Sequence, residues 1–189
     1  MKHKDIAKKN RITQAVLNIV NEEGITSLSF GKIAKQAKVS SGTPYIYYKD
    51  KTDMLSNIYV EIKKLMDDGL AKKIENVSST EDKLFEAVKH FAENFKKYPK
   101  ERQFMFSLQN NHRLISESAR ALGMELAKPL FDLYSVAIEQ NILKTNEVEI
   151  INVMLFAPVK WLIEDNPDVS NEKIQEVIVY SINSIIKDR

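Results

Sequence analysis

Residues 40–51, with the sequence SSGTPYIYYKDK, combine side chains that are suited to contact a polyanion. Ser41, Gly42 and Thr43 are small and allow another backbone to approach closely, and three tyrosines with two lysines follow them. Phosphate oxygens and base edges accept hydrogen bonds from such hydroxyls, amines and backbone N–H groups. The segment therefore has the chemistry of a nucleic-acid contact surface.

The charge of the chain is concentrated around this segment. Residues 1–52 hold ten basic and four acidic side chains, a formal charge of +6, whereas the remainder carries −4. Such asymmetry indicates an anion-binding region attached to a neutral or acidic body.

Helical periodicity and capping residues predict the elements that position the segment. A first helix spans about 5–23, and a short second helix begins after Ser29 and ends near residue 37. After a turn at 38–40, a third helix continues to about residue 48. Two short helices joined in this way and braced by a longer one form a helix-turn-helix, whose second helix enters the major groove of DNA.

The rest of the chain also shows helical periodicity, and five glycines and five prolines leave little material for an all-β fold. We therefore predict an all-α fold of about nine helices. Residues 1–50 would form the helix-turn-helix domain, 51–75 a connecting helix and 76–189 a ligand-binding and dimerisation domain. Asp50 caps the fourth helix, which is predicted to reach residue 74, and the others fall at about 80–98, 104–111, 116–140, 146–165 and from 170 onward.

Proline and β-branched residues suggest how the C-terminal helices pack. Pro129 and Pro158 are expected to kink the seventh and eighth helices, because proline removes a hydrogen bond and crowds the preceding turn. The last helix has an apolar stripe with no later element to cover it. We expect the last two helices to hold a homodimer, with Ile178 and Ile182 in the seam.

Several classes of protein lack support in the sequence. No cysteine is present, the three histidines are isolated, and no phosphate-binding loop, HExxH motif or nucleophile elbow occurs. The longest apolar stretch, 150–163, is too short to cross a bilayer, and no secretory signal is visible. We therefore expect a cytoplasmic protein that is not an enzyme and has no catalytic residues, no metal, no cofactor and no membrane partner.

The segments RITQAVLNIVNEEG and LSFGKIAKQAKVSSGTPYIYYKDKTDML resemble the N-terminal domain of the TetR (tetracycline-repressor-like) family of transcriptional regulators. The resemblance covers about residues 10–58. By position it implies base contacts from the start of the third helix and phosphate contacts around it. The implied DNA-binding residues are Ser29, Lys38, Ser40, Ser41, Gly42, Thr43, Tyr45, Tyr47, Tyr48 and Lys51.

Two positions depart from the family pattern. Lys38 stands where the family usually has glycine, at a cost of about 1 kcal/mol if its backbone is left-handed. Ser41 replaces a commonly longer basic or amide side chain, so direct base contacts are expected to be sparse.

The C-terminal region supplies the aromatic and sulfur-containing side chains that a pocket for a bulky apolar molecule uses. Taken one by one, these residues are equally suited to a helical core. Tyr134 and Trp161 are the expected polar anchors. The candidate ligand-binding residues are Phe91, Phe95, Phe104, Met124, Phe131, Tyr134, Met154 and Trp161.

These features predict a ligand-responsive regulator that binds a palindromic operator in double-stranded DNA as a homodimer. A small hydrophobic or aromatic effector would release it, as for a repressor. One alternative is an all-α small-molecule-binding or enzymatic domain without DNA binding. Another is a constitutive DNA-binding dimer without an effector.

Overall fold

A computed structural model describes residues 2–109 and 111–188, and within them the chain forms eleven α-helices and no β-strand. The all-α prediction is therefore confirmed. None of the described helices is both long enough and apolar enough to cross a bilayer. The helices are α1 (Lys2–Glu23), α2 (Phe30–Gln36), α3 (Thr43–Tyr47), α4 (Lys51–Asp67), α5 (Leu70–Glu75), α6 (Thr80–Lys97), α7 (Pro99–Gln109), α8 (Glu117–Leu126), α9 (Lys128–Glu139), α10 (Val148–Asp165) and α11 (Asn171–Ile185).

The chain divides into two compact units that are each discontinuous in sequence. The first unit holds the chain up to Lys63 together with Tyr98–Met124, and the second holds Lys64–Lys97 and the chain from Glu125 onward. The boundary falls inside α4, so most of this helix belongs to the first unit and its last turn to the second. The functional division predicted at residues 50 and 75 stays a prediction.

The first unit is built around apolar side chains of α1, which α2, α4 and α7 cover. The side chains of Ile12, Val16 and Ile19 recur at helical spacing and are fully buried. The unit's core also contains Ile33 and Ala34 of α2, Met54, Leu55 and Ile58 of α4, and Phe104 and Leu108 of α7.

Local capping determines where the N-terminal helices begin and end, largely as the sequence predicts. Gly24 follows α1 with φ of 82°, and the Ser29 side chain caps α2 by accepting a hydrogen bond from the Lys32 N–H. At the start of α4, Asp50 Oδ1 accepts from the Asp53 N–H at 2.8 Å, and Asp53 Oδ2 accepts from the Lys49 N–H at 2.9 Å. This reciprocal pair resembles a capping box and fixes the entry into α4.

Two helices that the periodicity predicts as continuous are interrupted. The fourth was expected to reach residue 74 but ends at Asp67, because Gly69 takes a left-handed conformation with φ of 82° before α5 begins. The seventh was expected to span 116–140 but is divided into α8 and α9. Pro129 lies in the first turn of α9, where its missing N–H costs least. Pro158, in contrast, lies inside α10.

The second unit packs α6, α9, α10 and α11 around a buried apolar core. Along α10 the side chains of Ile151, Leu155 and Val159 are fully buried, which places one face of this helix inward. Ile178 and Ile182 of α11 are also buried within the same chain. Their predicted place in a dimer seam is therefore wrong, because the core of their own unit already covers them.

Candidate nucleic-acid interface

The connection between α2 and α3 is a compact turn with one residue in a left-handed conformation. Ala37 N–H donates to Ile33 O at 2.8 Å, and Val39 N–H donates to Ala34 O at 3.0 Å. Lys38 lies between them with φ of 53°. A lysine at this position costs about 1–2 kcal/mol relative to an unstrained backbone, and the turn orients α3 against α2.

Ser40 anchors the start of α3 through Thr43. The Thr43 N–H donates to Ser40 O at 2.9 Å, and the two side-chain hydroxyls lie 2.7 Å apart. Thr43 and Pro44 are buried, whereas Ser41 and Gly42 are exposed. Thr43 thus lies on the inner side of the helix in this structure, and the accessible small residues are the two that precede it.

The outer side of α3 presents two large side chains, Tyr45 and Ile46. They are 65% and 78% exposed, unusually high values for an aromatic and a branched aliphatic residue. The Tyr45 ring meets Phe30 of α2 edge-on, with centroids 4.5 Å apart, which limits the positions its hydroxyl can take. The sequence analysis missed Ile46, although its place between two tyrosines on a five-residue helix was a usable signal.

The next two tyrosines differ in environment. Tyr47 is half-buried, and its hydroxyl donates to the backbone oxygen of Asp5 at 3.2 Å, which ties α3 to α1. Tyr48 is only 2% exposed, and burial raises the pKa of its hydroxyl. The predicted phosphate contact therefore does not fit Tyr48 in this conformation, since its ring packs in the core of the first unit.

Basic and hydroxyl side chains lie on the chain segments before and after α3. Lys51 is half-buried and its amine donates to Ile25 O at 3.2 Å, whereas Lys38 and Lys49 are exposed. Ser29 is also exposed, and its oxygen accepts from the Lys32 N–H at 3.3 Å. This bond uses the oxygen as an acceptor, so the hydroxyl hydrogen can be donated to a phosphate.

In the second unit, four of the predicted ligand-binding residues form aromatic pairs. Phe91 stacks on Phe95 with centroids 4.9 Å apart and meets Phe156 edge-on at 5.0 Å. Phe131 meets Tyr134 edge-on at 6.0 Å. The Tyr134 hydroxyl donates to Asn152 Oδ1 at 3.3 Å, and burial strongly raises its pKa.

The other four predicted ligand-binding residues are placed differently. Phe104 and Met124 belong to the first unit, where Phe104 is fully buried and Met124 is exposed. Met154 and Trp161 lie on the outward face of α10 and are 39% and 66% exposed. The structure therefore does not gather the eight residues into one enclosed site.

A groove of about 350 Å³ lies between α6 and α11 in the second unit, and none of these aromatic side chains lines it. Its floor is apolar and its edges carry three lysines and one glutamate. The lining residues are Lys89, Ala92, Glu93, Lys96, Lys97, Asn171, Ile174, Gln175 and Ile178. None of them was predicted from the sequence as a ligand contact.

The fold and the exposed face of α3 define a helix-turn-helix protein with an additional helical unit. Residues 12–58 match the family model of bacterial regulatory proteins of the tetR family. These residues are thereby identified as an N-terminal domain of the TetR family, which confirms the resemblance found in the sequence over this segment.

Known relatives agree with this assignment. A fatty acid metabolism regulator protein of Bacillus subtilis (strain 168) is 31% identical over 86 residues, which cover 45% of this chain and 44% of that protein. The match thus spans less than half of the curated relative.

Solved structures show the same fold over nearly the whole chain. A TetR family transcription regulator from Marinobacter aquaeolei VT8 has a TM-score of 0.88 at 18% identity and full coverage of both chains. The transcriptional regulator FadR from Bacillus subtilis, in complex with stearoyl-CoA, has a TM-score of 0.67 at 18% identity and covers 92% of this chain and 95% of its own.

Proposed function

We propose that the protein is a sequence-specific DNA-binding transcriptional regulator that acts as a homodimeric repressor in the cytoplasm and is released by a small hydrophobic effector. The observation that carries the proposal is the outer face of α3. There Tyr45 and Ile46 project from a helix whose start exposes Ser41 and Gly42. Tyrosine can donate to a base edge or phosphate, and an aliphatic side chain can contact the thymine methyl group in the major groove.

The contacts around α3 support a division of tasks. Hydroxyl and amine donors that suit contacts to the phosphate backbone, which carry no sequence information, lie on the segments before and after the helix, at Ser29, Lys38, Lys49 and Lys51. Tyr45, Ile46 and Ser41 are then left to discriminate between base pairs. Since Ser41 is short, shape and apolar contacts would contribute much of the sequence preference.

Salt dependence tests the DNA-binding part of the proposal. The wild-type protein is first used to select a duplex from a random pool. The logarithm of its affinity for this duplex should fall linearly with the logarithm of the salt concentration. Lys51→Ala should weaken binding on selected and scrambled duplexes alike and reduce that slope by about one unit. The matched control is Lys72→Ala on α5, which should change neither affinity nor slope.

Because Lys51 also bonds Ile25 O, thermal unfolding of the variant must show that the protein remains folded. An unchanged slope in folded Lys51→Ala protein would remove this lysine from the interface. Failure of the wild-type protein to retain any duplex at low salt would favour the alternative of a small-molecule-binding domain.

For the homodimer we propose a seam on the outward faces of α10 and α11. Val153 and Trp161 of α10 and Val179 and Tyr180 of α11 are exposed apolar or aromatic side chains in the second unit. Exposed apolar side chains that occur on neighbouring helices are suited to an interaction site. A twofold axis through such a seam would present two recognition helices to the two halves of a palindromic operator.

For the effector we propose a site among the aromatic pairs of the second unit, near Phe91, Phe131 and Tyr134. A related fold binds stearoyl-CoA and a sequence relative is named as a fatty acid metabolism regulator, which supports an apolar ligand. To move the protein from mostly bound to mostly free, the effector must favour one state by about 5 kcal/mol.

Stearoyl-CoA is a suitable first probe, with coenzyme A alone as its control. Release of the selected duplex by stearoyl-CoA and not by coenzyme A would support an apolar effector. If neither this probe nor a panel of aromatic compounds releases DNA, the constitutive DNA-binding dimer replaces this part of the proposal.

A further inference from the structure

The last turn of α4 is held by two side chains of α6. The backbone oxygen of Met66 accepts a hydrogen bond from Asn94 Nδ2 at 2.8 Å and lies 3.0 Å from His90 Nε2. The two nitrogens are themselves 3.0 Å apart. Since α4 ends at Asp67, the Met66 carbonyl is one of the terminal oxygens that have no partner within the helix. We call this arrangement of Met66, His90 and Asn94 the α4 clamp.

Burial strengthens the α4 clamp. His90 is 6% exposed and Asn94 is half-buried, and they lie one helical turn apart on the same side of α6. If the Met66 oxygen lost both donors it would have limited access to water, so the loss would cost more than the two bonds contribute, whereas the loss of one donor leaves it with a partner.

The ring of His90 is suited to act as a neutral donor. Burial, with a smaller contribution from Lys73, lowers its pKa, while the bond to Met66 O and the charges of Glu93 and Asp67 oppose this. In its neutral Nε2–H tautomer the imidazole donates to the Met66 oxygen.

The clamp matters because α4 carries attachments along its whole length. It begins directly after α3, the proposed recognition helix, at the Asp50–Asp53 cap. Within the first unit its Ser56 Oγ accepts from the Ser116 N–H at 2.8 Å. Its last turn belongs to the second unit, where the clamp holds Met66. One continuous helix thus has hydrogen-bonded anchors in each unit.

We propose that His90 and Asn94 are positioning residues that fix the last turn of α4 and thereby set the affinity of the recognition helix for DNA. The inference rests on the proposed DNA-binding function. With the clamp intact, the last turn of α4 has one favoured position. Without the clamp it samples several positions, and the apparent affinity for DNA falls in proportion to the fraction of molecules that remain competent to bind.

The test compares variants that remove a donor with a variant that keeps one. His90→Leu and Asn94→Leu remove the donors with little change in size, whereas His90→Gln retains an amide donor close to the position of Nε2. Asn76→Leu, at an exposed position after α5, is the matched control. Each protein is measured for affinity to the duplex selected by the wild type and for amide hydrogen exchange over residues 64–70.

We expect His90→Leu and Asn94→Leu to speed exchange at 64–70 and to weaken DNA binding about two- to tenfold, the range allowed by the net contribution of one neutral hydrogen bond. His90→Gln and Asn76→Leu should remain within about twofold of the wild type. Circular dichroism identifies any variant that fails to fold. If His90→Leu does not fold, Asn94→Leu, at a half-buried position, still tests the inference.

Two outcomes would overturn the inference. One is a lower melting temperature with unchanged DNA affinity in both leucine variants, which would make the clamp a stabilising contact only. The other is a loss of DNA affinity in His90→Gln as large as that in His90→Leu, which would show that the effect does not depend on the hydrogen-bond donor at this position. Wild-type protein that binds no duplex would instead refute the proposed function, and this result is obtained before any variant is made.

Discussion

Gly123 of α8 lies against the side chain of Tyr59 of α4 and gives a quantitative test of the first unit. It is buried in α8, and a Cβ atom placed on it would lie 2.8 Å from Cε1 and Cζ of Tyr59 and nearer still to the Tyr59 hydroxyl. Alanine is normally about 1 kcal/mol more favourable than glycine inside a helix. Overpacking costs about 1–3 kcal/mol, so we expect Gly123→Ala to lower the free energy of unfolding by about 1 kcal/mol.

A double-mutant cycle separates these two contributions. In a Tyr59→Leu background the ring is absent, and Gly123→Ala should then raise stability by about 1 kcal/mol. The coupling energy between the two positions should be about 2 kcal/mol, measured by urea unfolding followed by circular dichroism.

Gly31 provides the matched control. It lies inside α2, and no atom lies within 4 Å of the position of its Cβ, so Gly31→Ala should stabilise the protein in either background. If Gly123→Ala stabilises the protein that retains Tyr59 as much as Gly31→Ala does, the close contact between Gly123 of α8 and Tyr59 of α4 is refuted.

Three further predictions concern the interface, the dimer and pH. Tyr45→Phe should reduce discrimination between selected and scrambled duplexes by about 1–3 kcal/mol if its hydroxyl reaches a base edge, whereas equal losses on both would make it a backbone anchor. Trp161→Glu should give a folded monomer in sedimentation, and a variant that remains dimeric would place the seam elsewhere. Ile178→Glu should instead unfold the chain, because it buries an unpaired carboxylate. Because the pKa of His90 is lowered in the folded state, the unfolded state binds its proton more readily below about pH 6.5, so stability should fall as pH decreases from there. Unfolding free energies of His90→Gln across pH 5–8 should lack this component, and identical profiles would argue against a buried neutral imidazole.

Local signals predicted the helix-turn-helix well because each depends on a few neighbouring residues. Ser29 and Asp50 cap their helices as expected, and Lys38, singled out because the family usually has glycine there, has a left-handed backbone. Such features need only a short side chain beside an unpaired N–H group, or a tight turn between two apolar runs.

Positions that depend on tertiary packing could not be predicted in the same way. The apolar stripe of α11 suggested a dimer seam, but α6 and α10 cover Ile178 and Ile182 within the chain. The composition of α10 gave no indication of which of its apolar faces points outward, so Trp161 was expected in a pocket and is exposed instead. Likewise, the apolar periodicity of the fourth helix continues past Gly69, and the periodicity does not reveal the positive φ of this residue, which follows the end of α4.

Because Trp161 is exposed, the intrinsic fluorescence of the protein can report on contacts made at this position. It is the only tryptophan in the sequence, so all indole fluorescence arises from one site on α10. An indole in water emits at longer wavelength than one surrounded by apolar groups. If subunits associate through this face, dilution should shift the emission to the red as the ring becomes hydrated. The same protein can thus be titrated without a label, and the concentration at which the shift occurs gives the dissociation constant of the dimer directly.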